Sequence, residues 1–225
     1  MRTPLAPYAR RRHVERMVLP LSTIPSAPQE GETANATFES GETLHLLARR
    51  RSSKVMHLVE PAPTSAEIDA LIQLAARVPD HGKLGPWRFV VFEGDARTRA
   101  GEVLAKTIAG DPGVDESRLS HTRGLLQRAP ACVMVVSTAA PHAKIPEWEQ
   151  QLSAGAACFS LLLAAHALGY GGCWLTEWPA YDARARAALG LAEHERIAGI
   201  VYLGTPKETP TERVRADAAS RISRF

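Results

Sequence analysis

The chain has 225 residues, 45% of them hydrophobic and 23% charged, which suits one well-buried core and is short for two large domains. Aromatic residues make up only 6%, which argues for helix over an all-β sandwich. The net charge of +3 does not argue for nucleic acid, because residues 1–16 hold five arginines against Glu15 and the remaining residues sum to −1.

Residues 1–39 carry Pro4, Pro7, Pro20, Pro25 and Pro28 with little periodicity, and read as a flexible extension. The apolar run Met17–Leu21 is too short for a signal peptide and is cut by Pro20. A folded domain is expected over residues 40–225. Leu44, Leu47 and Ala48 predict a helix over Glu42–Arg51 that ends in a basic cluster. Thr64-Ser65-Ala66-Glu67 has the form of a capping box. Ile68, Leu71, Ile72 and Ala75 then lay one apolar stripe along a second helix, which Pro79 closes. Arg88–Glu93 is rich in β-branched and aromatic residues and predicts a strand. Helices follow over Asp95–Ala109 and Asp115–Gln127. The unbroken apolar run Ala131–Thr138 predicts a central strand covered on both faces.

Pro146 is placed to open a long helix running to Leu168 and stopped by Gly169. From Ala154 it is apolar almost all round, so it should pack on several sides. Its apolar run falls short of the roughly 20 residues of a membrane span. Gly169-Tyr170-Gly171-Gly172 leads into Cys173–Thr176, Asp182 caps a short helix ending at Gly190, and Arg196–Gly204 is a last strand. Cys132, Cys158 and Cys173 are odd in number, form no CxxC and sit among apolar residues, which points to a reducing cytoplasm and to neither disulfide nor zinc. The order of elements is that of one α+β or α/β domain.

Few motifs carry chemistry by themselves. There is no Walker A loop, G-x-S-x-G or H-E-x-x-H. The glycines at 169–172 follow a helix, where a dinucleotide fingerprint would open one, and read as a helix cap and tight turn. Arg50, Arg51 and Ser52, near Lys54, suit phosphate oxygens, but taken alone read as a basic helix end favoured by its dipole. Asp80-His81 lies in a loop, where functional residues concentrate. Glu147 and Glu149 do not share a helix face and read as favouring the helix N-terminus.

Three segments together go further. Leu47–Ser52 (LARRRS), Arg77–Phe89 (RVPDHGKLGPWRF) and Gly199–Pro206 (GIVYLGTP), with Trp148-Glu149-Gln150 and Ser153-Ala154-Gly155, occur in this order and at these separations. The chain resembles the nitroreductase-like family of FMN-dependent oxidoreductases, most of all its short NAD(P)H nitroreductase branch, over about residues 42–206. The resemblance implies an α+β fold with a central mixed or antiparallel sheet flanked by helices around a long apolar helix. It also implies a homodimer with FMN at the subunit interface.

Carried over by position, Arg50, Arg51 and Ser52 would hold the FMN phosphate and ribityl end. Arg77 and His81 would contact FMN, which at a dimer interface can be the partner's, and Trp174, Leu175 and Thr176 would line the isoalloxazine ring. Ala164, Ala165, His166, Ala167, Leu168 and Gly169 match a stretch assigned to NAD(P)H in relatives. Gly204 and Lys207 would return toward the phosphate. The implied reaction passes hydride from NADH or NADPH through FMN to an electron-poor small molecule, a nitroaromatic or quinone, in ping-pong fashion. It needs no catalytic side chain and no metal, and no nucleic-acid or membrane partner is expected. The alternatives are a flavin-dependent dehydrogenase or dehalogenase of one metabolite, and a non-catalytic flavin-binding redox module. This chain departs from the family in two extra residues between Ser52 and Glu60, in Thr176 for a frequent Ser, in residues 1–39, and in its last 19 residues.

Overall fold

The computed structural model describes residues 18–33 and 37–225; the basic segment Arg2–Arg16 lies outside the described residues. Among the described residues six α-helices surround one sheet: α1 Gly41–Arg49, α2 Ser65–Ala75, α3 Ala96–Ile108, α4 Glu116–Arg123, α5 Glu147–Leu168 and α6 Ala183–Ala188. The strands are β1 Leu58–Val59, β2 Trp87–Glu93, β3 Ala131–Ser137, β4 Gly171–Leu175 and β5 Arg196–Pro206. Every pairing is antiparallel, so of the two expected sheet types the fold takes the antiparallel one.

β5 organises the sheet. Over Arg196–Leu203 it pairs β3, over Ile200–Gly204 it pairs β4, and at Thr205–Pro206 it pairs β1. Pairing with β3 steps from Val135↔Gly199 to Val136↔Ile197, so Ala198 is an extra residue that bulges the strand. β3 is buried at every position. Its side chains alternate between two cores: Ala131, Val133 and Val135 meet α2 and α5, while Cys132, Met134 and Val136 meet Phe92, Leu126 and Tyr202.

α5, at 22 residues, is the long axis of the first core. Among the described residues it is the one helix long and apolar enough to cross a membrane, and it is the helix this core is built around. Gly169 ends it in the left-handed region at φ 101, where glycine carries no Cβ penalty. The α2 capping box is complete: Thr64 accepts from the Glu67 N–H, and Glu67 accepts from the Thr64 N–H at 2.8 Å. The fourth helix is shorter than its pattern predicts, because Gly124 ends it and Leu125–Arg128 continues as a 3-10 turn. β1 carries no periodic signal and was not foreseen. The stretch read as a flexible extension is described from residue 18, and over residues 18–33 it is exposed except at Val18 and Ile24. The Leu19 N–H donates to the Leu168 carbonyl at 2.9 Å, one of the acceptors a helix end leaves free, and Val18 and Ile24 pack beside it.

Arg88 on β2 forks onto Glu195, just before β5, with two 2.7 Å hydrogen bonds. The Glu195 carboxylate, which also accepts from the Ala192 N–H at 2.8 Å, is buried. The Arg88 hydrogen bonds hold its pKa down at about 2. Because the unfolded value is about 4.3, the pair's contribution is complete above that pH and is lost as pH falls toward 2. Arg88→Ala should cost about 2–3 kcal/mol at neutral pH, below the full value for a buried pair because Arg88 is partly solvated. Urea melts should show the gap from wild type narrowing as pH drops from 5 to about 2.

Candidate functional site

α1 starts at Ser40, whose Oγ accepts from the Thr43 N–H, and ends where Arg50 leaves helical geometry at φ −58, ψ 137. The chain turns there, and the Arg50 guanidinium swings back over the Phe159 ring of α5, 5.8 Å from its centroid. Arg50 Nη2 donates to Ser52 Oγ at 3.3 Å. Arg50 Nε is buried and has no hydrogen-bond partner. A buried charged donor without an acceptor is costly, so this atom marks a place where an anion fits.

The guanidinium borders a cleft of about 570 Å³ whose walls include His45, Arg51, Ser53, His166 and Tyr170. The far wall is the C-terminal tail. Arg51 Nε donates to the Thr211 carbonyl at 3.0 Å, and Arg215 Nη2 reaches the Arg50 carbonyl at 3.4 Å. Burial, and then the charges of Arg215, Arg51 and Arg213, push the Arg50 pKa below the usual arginine range, with Glu212 opposing them. The cleft therefore concentrates positive charge, as a phosphate site requires.

The same turn is stitched to β4 by the Ser53 N–H, which donates to the Gly172 carbonyl at 3.0 Å. Trp174 lies two residues further on, about 7 Å along the strand. Its indole N–H donates to the carbonyl of the bulge residue Ala198 at 3.2 Å. The ring lies flat against β5 only because residue 199 is glycine: a Cβ there would fall 1.9 Å from Trp174 Nε1. Leu175 packs into the second core, and Thr176 Oγ1 shares a 2.9 Å hydrogen bond with the Tyr181 hydroxyl. Of the glycines before this segment, Gly169 is the expected helix cap, but the next two are not a turn. Gly171 and Gly172 lie in β4, where a Cβ would strike Pro206 and Leu162, at 2.4 and 2.6 Å.

The expected site residues thus fall into two groups. Arg50, Arg51 and Ser52 sit on the turn that Ser53 ties to Gly172, two residues before Trp174 on the strand that leads into Leu175 and Thr176. His81 lies elsewhere, its Nδ1 2.8 Å from the Glu149 carboxylate at the start of α5. Glu149 and Phe159 are ten positions apart, a rise of about 15 Å, so one chain keeps His81 apart from Arg50. Arg77 is exposed just beyond α2. Within the stretch 164–169, Ala164, Ala165 and Leu168 are core residues and Gly169 is the helix cap, while Ala167 is exposed and His166 lines the cleft. Lys54 is exposed, and the Lys207 N–H is engaged by the His57 carbonyl at 2.7 Å. Gly204 lies close under Pro130 and the Val59 carbonyl. Sequence reasoning singled out none of Arg213, Arg215 and the tail backbone at Thr211, which lie near Arg50 and Arg51 and belong to the 19 residues that depart from the family.

A model of the family described as "Nitroreductase family" matches residues 47–205. The chain belongs to the nitroreductase family. It is 39% identical over 171 residues to "Putative NAD(P)H nitroreductase YdjA" of Escherichia coli K12, covering 74% of this chain and 89% of that protein. Among solved structures, a nitroreductase-like family protein from Bacillus cereus superposes with TM-score 0.71 at 22% identity, over 85% of this chain and 99% of its own. A nitroreductase with bound FMN from Bacteroides fragilis gives TM-score 0.61 at 20% identity, over 83% of this chain and 100% of its own. The nitroreductase match opens just before the arginine pair and closes within β5, so it contains both residue groups and leaves out the arginines of the tail.

The contact between Trp174 and β5 can be tested directly. Gly199→Ala should displace the indole, break its bond to Ala198 and cost about 1–3 kcal/mol from overpacking. A changed tryptophan emission maximum together with a lowered urea midpoint would report it.

Proposed function

We propose that this nitroreductase-family chain is an FMN-dependent oxidoreductase that takes reducing equivalents from NADH or NADPH and delivers them to an electron-poor acceptor, a nitroaromatic or quinone, in ping-pong order. The observation that carries the reading is the buried, unpartnered Nε of Arg50 in a cleft of clustered guanidinium groups, on a turn that the Ser53–Gly172 hydrogen bond ties to β4. These residues fit FMN. Arg50, Arg51 and Ser52 would hold its phosphate through charge-assisted hydrogen bonds, and the segment 174–176 would border its ring. When bound, FMN supplies the two-electron chemistry. The protein's own share is anchoring, orientation and exclusion of water, and no side chain acts as nucleophile. His166 is the member of 164–169 that lines the cleft, and on this reading it would meet the nicotinamide nucleotide.

The working unit is proposed to be a homodimer. α1 is amphipathic yet buries none of its residues, leaving Leu44 and Leu47 exposed. Next to it on α5, Trp148, Leu152 and Phe159 form an exposed apolar stripe at helical spacing, Trp148 with 66% and Leu152 with 53% of its surface open. A second copy covering this face would bring its own Arg77 and His81 toward the first copy's cleft, joining the two groups that one chain keeps apart.

Three results are expected. Protein loaded with FMN should bleach under anaerobic conditions with NADH or NADPH and recolour with a nitroaromatic; a yellow protein inert to both nicotinamides is a binding module instead. Arg50→Ala should raise the FMN dissociation constant roughly 10- to 100-fold, the range for one lost hydrogen bond to a charged group, as read by flavin release on dialysis. Leu152→Asp should shift sedimentation equilibrium from dimer to monomer.

A further inference from the structure

Glu177 directly follows the segment 174–176 and has φ 59 and ψ 168. Glycine occupies that region freely, whereas a residue with a Cβ persists there only when its surroundings hold it. The holding group is identifiable. Arg128 Nη2 donates to Glu177 Oε1 and also to the Tyr202 hydroxyl at 3.0 Å. Arg128 Nε donates to the Leu125 carbonyl at 2.9 Å, and the guanidinium lies 5.1 Å over the Tyr202 ring. Tyr202 is fully buried on β5, opposite Cys173 of β4. The carboxylate is thus tied to the middle of the sheet. Glycine would take the same backbone path with no strain and equal freedom to leave it. A strained residue with a side-chain anchor holds one path.

We propose that Glu177 is a positioning residue: its ion pair with Arg128 fixes the peptide after Thr176 in one orientation, so that the end of β4 presents a constant set of backbone dipoles to the ring bordered by 174–176. The inference rests on the flavin reading above, and one part of its test does not.

Glu177→Gly removes the anchor without adding strain, and Glu177→Gln keeps an oxygen that can accept from Arg128. In FMN-loaded protein, anaerobic stopped flow should show Glu177→Gly reduced by NADPH or NADH about tenfold more slowly at saturation. The half-saturation concentration and the FMN content should stay near wild type. Glu177→Gln should recover most of the rate. In FMN-free protein, amide hydrogen exchange over residues 174–181 should be several-fold faster in Glu177→Gly and near wild type in Glu177→Gln. Glu177→Gly with wild-type reduction and wild-type exchange would overturn the proposal, as would equal losses of rate in the two variants. A wild-type protein that no nicotinamide reduces would refute the flavin reading instead, and the exchange comparison would still decide the role of Glu177.

Discussion

A helix that is apolar on nearly every side has no face it can leave in water, and the position of α5 follows from that constraint. β3 and β5 cover one side of it and α2 another. The Leu19 N–H, the Gly169 cap and the Tyr170 N–H, which donates to the Ala165 carbonyl at 2.9 Å, settle its C-terminal end. What remains open is the stripe through Trp148, Leu152 and Phe159. Phe159 is also the platform over which Arg50 lies, so the same helix fixes the core, the uncovered face and the anchor of the cleft.

The cleft is built against electrostatic cost. Arg50, Arg51, Arg213 and Arg215 repel one another, and burial adds a desolvation penalty that lowers the Arg50 pKa. Glu212 offsets part of this through Arg215, with 3.0 Å between Arg215 Nε and Glu212 Oε1. An arrangement that costs stability in the empty protein and that a phosphate would relieve is the pattern of a binding site, since stability and function draw on the same charges. The backbone irregularities gather at the other end of the site. The bulge at Ala198, the glycine at 199 and the strained Glu177 all surround Trp174–Thr176, and such features persist only where the surrounding structure over-determines them.

Much of the fold was legible because it depends on local pattern. The capping box at Thr64, the apolar stripe of α2, the unbroken apolar run of β3 and the glycine stop of α5 all state their physics in adjacent residues. The two-residue β1 was not legible, having no period to read. Nor was the break at Gly124, since a single glycine is tolerated in many helices. The pairing of His81, expected as an FMN contact, with Glu149, expected to favour the start of α5, was not legible because it spans 68 positions of sequence.

The sequence by itself determined the family and most of the elements, since ordered motifs and periodicity survive without any knowledge of contacts. Only the tertiary structure decided which of the singled-out residues lie near one another. It tied the turn after Arg50 to β4, the strand of Trp174, through the Ser53–Gly172 hydrogen bond, and kept His81 at the far end of α5. It consigned Ala164, Ala165 and Leu168 to the core, and brought Arg213 and Arg215 back over a cleft some 160 residues earlier in the chain. The physical reason is that a site is a set of distances, and distances between remote residues are fixed by how sheets and helices pack.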